Sequence, residues 1–137
     1  MPAIERYFFT PVYFPRSRWT VLAWWESRRP LYNAAVGLTG LATLGAVLTF
    51  AVLPPRPIAE TLAWDPILRL VVVYGVMANL CYSLGAPVDL LLRQLFGQRA
   101  GAAGPVLFRY GFVFSLGLTL LPIPLAAIGW VLRVLFP

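Results

Sequence analysis

The chain has 137 residues, of which 60% are hydrophobic, 15% aromatic and 12% charged, and its formal net charge is +6. Soluble domains carry roughly a quarter charged residues, so this composition excludes an ordinary water-soluble domain and indicates a membrane protein. The basic residues are all arginines, scattered in ones and twos between apolar segments. This pattern argues against nucleic acid as a partner and favours lipids and other membrane subunits.

Residues 1–31 are predicted to be cytoplasmic and to divide into an aromatic arm and an interfacial helix. The arm is too apolar for a solvated tail and too rich in proline for a regular helix, so we expect it to lie on a partner through Tyr7, Phe8, Phe9 and Phe14. Residues 17–29 have the pattern of an amphipathic helix on the membrane surface, with Trp25 toward lipid and Arg28 toward water. The interface residues expected in this helix are Trp19, Trp24, Trp25, Arg28 and Arg29.

Three charge-free runs follow, at residues 32–53, 70–88 and 110–132. Each has about the 20 residues that a helix needs to cross a hydrocarbon core of about 30 Å. We therefore predict an all-α integral membrane protein with three transmembrane helices at about residues 32–53, 67–88 and 106–134, which together form one domain over residues 32–137.

Prolines and an aspartate lie at or near the ends of the first two predicted spans. Pro54 and Pro55 end the first helix, and Asp65 is expected to cap the second, with Pro66 in its first turn. Pro87 predicts a bend, after which residues 88–96 are expected to lie along the interface.

The third predicted span contains Pro122 and Pro124 near its middle. A proline removes a backbone donor and clashes with the preceding turn, so a kink or a locally broken turn is expected there, and a re-entrant hairpin is the alternative. Trp64 and Trp130 are placed at the membrane interface.

Eight arginines lie in the N-terminal segment and the second loop region, against three on the other side. The positive-inside rule then predicts a multi-pass protein of the bacterial inner membrane with its N-terminus in the cytoplasm and its C-terminus in the periplasm.

Small and polar side chains recur at helical spacing in two of the spans. Gly75, Asn79, Tyr82 and Ser83 mark the second helix, and residues 111, 115 and 119 mark the third. Such stripes are typical of helix contacts in membranes, although the second could also be read as a ligand or pigment pocket. The partner-binding residues predicted in the spans are Asn79, Tyr82, Ser83, Gly111, Ser115 and Thr119. Asp89 is expected to pair with Arg93 one turn later, in preference to acting as a proton carrier.

The sequence offers little reactive chemistry. It has no histidine and a single cysteine, so no Ser-His triad and no histidine-ligated metal or haem can form, and no covalently attached or histidine-ligated cofactor is expected. Lipid or pigment contacts are compatible with this composition. Residues 24–33 and 79–85 resemble small bacterial membrane proteins of unassigned function, a resemblance that implies no activity.

These observations lead to the hypothesis of a non-catalytic accessory subunit in a larger bacterial membrane complex, of the photosynthetic reaction-centre and antenna type or the respiratory, electron-transport type. A small homo-oligomeric transporter or channel component is the alternative, with Pro122 and Pro124 lining a cavity. A lipid-modifying enzyme that uses Asp89 or a serine is disfavoured because no base accompanies either.

Overall fold

The computed structural model describes residues 5, 17–55, 58 and 63–136, apart from the side chain at position 98. Their regular structure is helical and comprises α1 (Arg18–Val52), α2 (Trp64–Phe96), a short 3-10 helix (Gly97–Ala100), α3 (Ala103–Leu120) and α4 (Pro122–Leu135). Three helical stretches, α1, α2 and α3 together with α4, are long and apolar enough to cross a membrane. This confirms the all-helical class and fits a multi-pass membrane protein. The aromatic arm with Tyr7, Phe8, Phe9 and Phe14 lies outside the described residues.

The start of α1 differs from the prediction. Residues 18–52 form one continuous helix that contains Pro30, so residues 17–29 are not a separate interfacial element. Proline at position 30 leaves the carbonyl of residue 26 without its usual helical donor. Buried residues on both sides of it, among them Trp25 and Tyr32, pack against the other helices, and this packing holds the two halves in one line.

The second helix is also less interrupted than expected. It continues through Pro87 to Phe96, so residues 88–96 belong to it. It begins at Trp64, one residue before Asp65, and the Asp65 carboxylate pairs with Arg69 at 2.9 Å instead of capping the helix. Gly97 ends the helix with φ +57°, a left-handed conformation that favours glycine.

The predicted break in the third span is confirmed and is one residue long. Leu121 separates α3 from α4, keeps right-handed helical angles (φ −53°, ψ −35°), and donates its N–H to the Gly117 carbonyl at 3.1 Å. Next to the break, the Thr43 hydroxyl of α1 donates to the Thr119 carbonyl at 3.0 Å.

Contacts along the bundle fix the direction of each helix. Phe108 of α3 packs against Trp24 near the start of α1, and Arg133 of α4 bonds the carbonyl of Phe50 near its end. Both helices therefore run alongside α1 in its own direction, and α4 does not turn back as a re-entrant hairpin would. Tyr82 of α2 bonds the Trp25 carbonyl, whereas Tyr74 bonds Ser115 and Thr119 farther along the bundle, so α2 runs antiparallel to the other two.

The two ends of this up-down-up bundle are packed differently. We call the end where α1 begins, α2 ends and α3 begins the proximal end, and the other the distal end. The buried hydrophobic cluster lies toward the proximal end and consists of Val21, Trp24, Trp25, Tyr32, Val36, Tyr82, Ala86 and Phe108. At the distal end, α4 contains no buried residue.

Candidate functional site

Asp89 is the most enclosed polar group at the proximal end, with 1% of its surface exposed. One carboxylate oxygen accepts a hydrogen bond from Arg93 Nε at 2.8 Å. The other accepts from the indole N–H of Trp25, on α1, at 3.3 Å. The predicted pair of Asp89 and Arg93 is confirmed, and it has a third member from another helix. A buried carboxylate with both a charged partner and a further donor is well placed to hold helices in register.

Two glycines allow the helices to approach this carboxylate and its tryptophan. A Cβ built on Gly104, in the first turn of α3, would lie 2.5 Å from Asp89 Oδ2, and one built on Gly85 would lie 2.4 Å from the Trp25 ring. Neither distance is compatible with a side chain, so both close approaches require glycine. Sequence reasoning missed both positions, because nothing in the sequence pairs Gly104 with Asp89 or Gly85 with Trp25.

An aromatic cluster surrounds the Asp89 site. Trp25 meets Tyr82 and Phe108 edge to face, with ring centroids 5.5 and 6.1 Å apart. The Tyr82 hydroxyl donates to the backbone carbonyl of Trp25 at 2.6 Å. Edge-to-face contacts of this kind add stability beyond the area that they bury. The three helices are thus joined by rings as well as by the carboxylate.

The expected interfacial belt of Trp24 and Trp25 needs correction. Their exposed fractions are 9% and 3%, because α1 continues as one helix and turns both rings toward α2 and α3. Trp19, in contrast, is 79% exposed. Of the tryptophans expected to face outward at this end, only Trp19 does so.

Arg28 was expected to face water, yet it is buried. Its guanidinium lies 3.9 Å from the centroid of the Trp24 ring, and its Nη1 donates to the Trp24 carbonyl at 3.0 Å. Its neighbour Arg29 makes two bonds to the Glu26 carboxylate, at 2.7 and 2.8 Å, and one to the Ser83 hydroxyl at 3.1 Å. Both arginines are therefore used within the bundle, one by stacking and one by ion pairing.

A hydroxyl network links all three helices farther along the bundle. The hydroxyls of Tyr32 and Ser115 lie 2.9 Å apart. Tyr74 donates to the Ser115 carbonyl at 3.2 Å and also bonds the Thr119 hydroxyl. Each of these groups has a partner within the chain, which supports helix packing as their role.

The predicted partner-binding residues of the spans divide into an inner and an outer set. Tyr82 and Thr119 are buried, and Ser115 bonds inside the network, so these three serve the chain's own bundle and are not presented to a partner. Gly111 is exposed, and a Cβ at that position would meet nothing within 4 Å. Asn79 and Ser83 belong with Gly111 in the outer set.

The outer face of α2 carries a shallow groove. Residues of α2 alone line it, namely Val72, Gly75, Val76, Asn79, Leu80 and Ser83. The Asn79 amide nitrogen donates to the Gly75 carbonyl at 3.0 Å, and Ser83 donates to the Asn79 carbonyl at 2.8 Å. Ser83 also accepts a hydrogen bond from Arg29 of α1 at 3.1 Å.

At the distal end, two side chains of α4 bond to the end of α1 and to a residue that follows it. Trp130 donates its indole N–H to the Pro54 carbonyl at 2.9 Å, and Arg133 donates to the Phe50 carbonyl at 2.6 Å. Trp64 also lies at this end and is largely exposed. The tryptophans predicted at the second interface, Trp64 and Trp130, are thus on the same end of the bundle.

The described residues contain no cluster of three or more histidine, cysteine, aspartate or glutamate side chains that could hold a metal ion. Their one cysteine, Cys81, is an exposed free thiol. The buried polar groups described above, including the Asp89 carboxylate and the hydroxyls of Thr43 and Tyr82, bond across to other helices. Comparison with protein-family models, with curated proteins and with solved structures gave no match for this chain.

Proposed function

We propose that this chain is a non-catalytic accessory subunit of a larger bacterial membrane complex and that it crosses the inner membrane three times. The observation that carries the proposal is the Asn79 amide on the outer face of α2, among the exposed apolar side chains of Val72, Val76 and Leu80. One N–H of this amide already bonds the Gly75 carbonyl of the same helix. Lipid tails offer no hydrogen-bond partner to the rest of the amide, so the helix of another protein would stabilise it.

The surroundings of Asn79 suit a transmembrane helix as the occupant of this groove. Gly75 and Ser83 lie one turn on either side of it and are small, so a second helix can come close enough for the amide to bond across. Hydrogen bonds of this kind contribute about 0.6–2 kcal/mol in membranes. The partner we propose is a subunit that places a hydrogen-bonding side chain opposite Asn79.

The interior of the bundle supports a packing role more than a transport role. Its hydroxyl groups bond to one another, and no charged residue occurs in residues 32–53, 70–88 or 110–132. The complexes we propose are photosynthetic or respiratory assemblies, with the arm of Tyr7, Phe8, Phe9 and Phe14 lying on a neighbour's cytoplasmic face. A chain without histidine would contribute shape there, and not metal or pigment ligands.

The proposed orientation places the proximal end in the cytoplasm. In the described residues that end carries Arg18, Arg28, Arg29, Arg93, Arg99 and Arg109, against Arg69 and Arg133 at the distal end. With 35 residues, α1 is about 50 Å long, against a hydrocarbon core of about 30 Å, so its first turns extend beyond the core. Reporter fusions at Ala3 and at Pro137 should report opposite sides of the membrane, and a report from the same side would contradict three spans.

Gentle detergent extraction from the native membrane, followed by native mass measurement, tests the function. A hetero-complex is expected, and Asn79→Leu should reduce retention of the chain in it. Met77→Leu, which changes an exposed α2 residue outside the groove, should not. A defined homo-oligomer with no other subunit would favour the transporter alternative, and full retention of Asn79→Leu would refute the α2 docking face.

A further inference from the structure

Two contacts between α1 and α2 show which of their residues lie at the same level of the bundle. The Arg29 guanidinium of α1 donates to the Ser83 hydroxyl of α2 at 3.1 Å. The Tyr32 hydroxyl of α1 donates to the Ala78 carbonyl of α2 at 3.5 Å. These contacts fix the register of the two antiparallel helices along their shared outer side.

This register places Asn33 of α1 beside Asn79 of α2. On α1, Asn33 lies one turn from Arg29 toward the distal end. On α2, Asn79 lies one turn from Ser83 in the same direction, because the two helices are antiparallel. The residues that directly precede the two asparagines make the second contact. Residues one turn apart share a helix face, so both carboxamides lie on the side of the Arg29–Ser83 bond.

Both carboxamides have hydrogen-bonding groups left over. Asn33 is exposed, and its side chain forms no hydrogen bond with another described residue. Asn79 uses one N–H on the Gly75 carbonyl, which leaves its Oδ1 as an acceptor and its second N–H as a donor. The two asparagines belong to charge-free runs, where lipid tails provide no partner. Their remaining groups therefore need a partner from another protein.

Glycines leave space beside both asparagines. Gly37 lies one turn from Asn33, and Gly75 lies one turn from Asn79. A Cβ built at either glycine would meet nothing within 4 Å. A single helix can therefore come close to α1 and α2 at the level where the two carboxamides lie.

We propose that Asn33 and Asn79 together bind one carboxamide side chain, of asparagine or glutamine, on a transmembrane helix of the partner subunit. This inference rests on the proposed docking of a partner helix at α2 and extends that site to α1. A carboxamide donates and accepts through separate atoms, so it can donate to Asn79 Oδ1 and accept from the Asn33 amide. A carboxylate has no donor for that oxygen. The Arg29 guanidinium, one turn away, is already paired with Glu26, so an ionised partner side chain is not favoured there.

Cross-linking in the native membrane tests the shared contact. A photo-activatable amino acid is placed at position 33 or position 79 of the full chain, with position 34 as the control. Ala34 is exposed on α1 and lies about 100° around the helix from Asn33. Positions 33 and 79 should cross-link to the same segment of the same subunit, and that segment should span the membrane and contain asparagine or glutamine. Position 34 should give far less of this product.

Four results of this experiment would overturn the inference. They are cross-links to lipid alone, cross-links to a second copy of this chain, cross-links from the two positions to different subunits, and a cross-linked segment without asparagine or glutamine.

Binding of variants to the extracted complex tests the energetic contribution. Asn33→Leu should weaken binding about threefold, the effect of one average hydrogen bond between membrane helices, and Asn33→Gln should largely preserve it. Ala34→Leu, at the same level on another face, should bind normally. Because both asparagines bind one side chain, the double variant Asn33→Leu/Asn79→Leu should lose less than the product of the two single losses. Asn33 has no bond within the described chain, so unfolding of Asn33→Leu in mixed micelles should be unchanged.

The outcomes separate this inference from the proposed function. Full binding of Asn33→Leu together with weaker binding of Asn79→Leu would overturn the shared site and leave the α2 docking face intact. Full binding of both variants would refute the docking face as well. Losses that multiply in the double variant would show that the two asparagines bind separate groups, which also contradicts the shared site.

Discussion

The two ends of α2 each carry an aspartate followed by an arginine one turn later, and the two pairs have almost the same length. Arg93 lies 2.8 Å from Asp89, with 17% and 2% of the two side chains exposed, whereas Arg69 lies 2.9 Å from Asp65, with 78% and 73% exposed. An exposed pair contributes little because water and salt screen it, while a buried charge that loses its partner is strongly destabilising. Because the two distances are nearly equal, burial is expected to decide what each pair contributes to stability.

The same contrast extends to the whole bundle. The proximal end buries rings, a carboxylate and an arginine from three helices, whereas α4 at the distal end buries no residue. We therefore expect resistance to unfolding to be concentrated at the proximal end and the distal surface to tolerate change. Substitutions matched between the two regions can test this expectation.

Asp89→Ala should have the largest effect. It leaves Arg93 and the Trp25 indole without their shared acceptor and should lower the free energy of unfolding by about 3–5 kcal/mol. Asp65→Ala removes the equivalent carboxylate at the distal end and should change it by less than about 1 kcal/mol. Unfolding in mixed micelles with increasing denaturing detergent, followed by tryptophan fluorescence, measures both, and similar losses would contradict the contrast.

Gly85→Ala should cause the second-largest loss of stability. Its methyl group would lie 2.4 Å from the buried Trp25 ring, and overpacking of this kind lowers the free energy of unfolding by about 1–3 kcal/mol. Gly75→Ala is the matched control on the same helix, where a Cβ meets nothing within 4 Å. That control should be neutral or slightly stabilising, since alanine is the better helix former. Equal tolerance at both positions would mean that Trp25 is not tightly held.

Thr43→Val should have a smaller effect. The Thr43 hydroxyl bonds the Thr119 carbonyl on α3, whereas the Thr49 hydroxyl bonds the carbonyl of Gly45 on its own helix. Loss of the cross-helix bond should lower the free energy of unfolding by about 0.6 kcal/mol, the average for such bonds in membranes. Thr49→Val should leave it unchanged in the same assay, and an equal effect would show that the cross-helix bond contributes nothing.

Replacement of both Pro122 and Pro124 by leucine should have the smallest effect on stability, below about 0.5 kcal/mol, because α4 buries no residue. Insertion should remain intact, whereas association with partner subunits should change, because a straightened helix presents a different surface. Topology reporters and retention in the extracted complex measure these outcomes. A changed flux with intact assembly would point instead to a conduction path.

The sequence predicted features that depend on the chain itself. Charge-free runs of sufficient length predicted the three long apolar helices, Pro122 and Pro124 predicted the break at Leu121, and one-turn spacing predicted the pair of Asp89 and Arg93. Each follows from local geometry, which needs no knowledge of neighbouring helices.

Whether the tryptophan side chains of α1 face the membrane surface or the other helices could not be predicted in the same way. An amphipathic segment with Trp24, Trp25 and Arg28 is compatible with a membrane surface, and equally with a helix packed among others, because tryptophan and arginine both combine apolar and polar parts. Only the positions of Tyr82 and Phe108 decide between the two. Ser115 and Thr119 were predicted to bind a partner subunit, but they bond to helices of the same chain, because helical spacing does not say which helix a small or polar side chain meets.

The hydroxyl network has a consequence for how the chain is made. Tyr32 and Tyr74 lie on the first two long helices, and their side-chain partners Ser115 and Thr119 lie on α3. At a synthesis rate of about 5–20 residues per second, the two tyrosines emerge from the ribosome several seconds before those partners. During that interval a helical hairpin in the membrane would hold phenol groups that still lack these acceptors. Arrival of α3, which carries both Ser115 and Thr119, would supply these partners and convert the hairpin into a three-helix bundle.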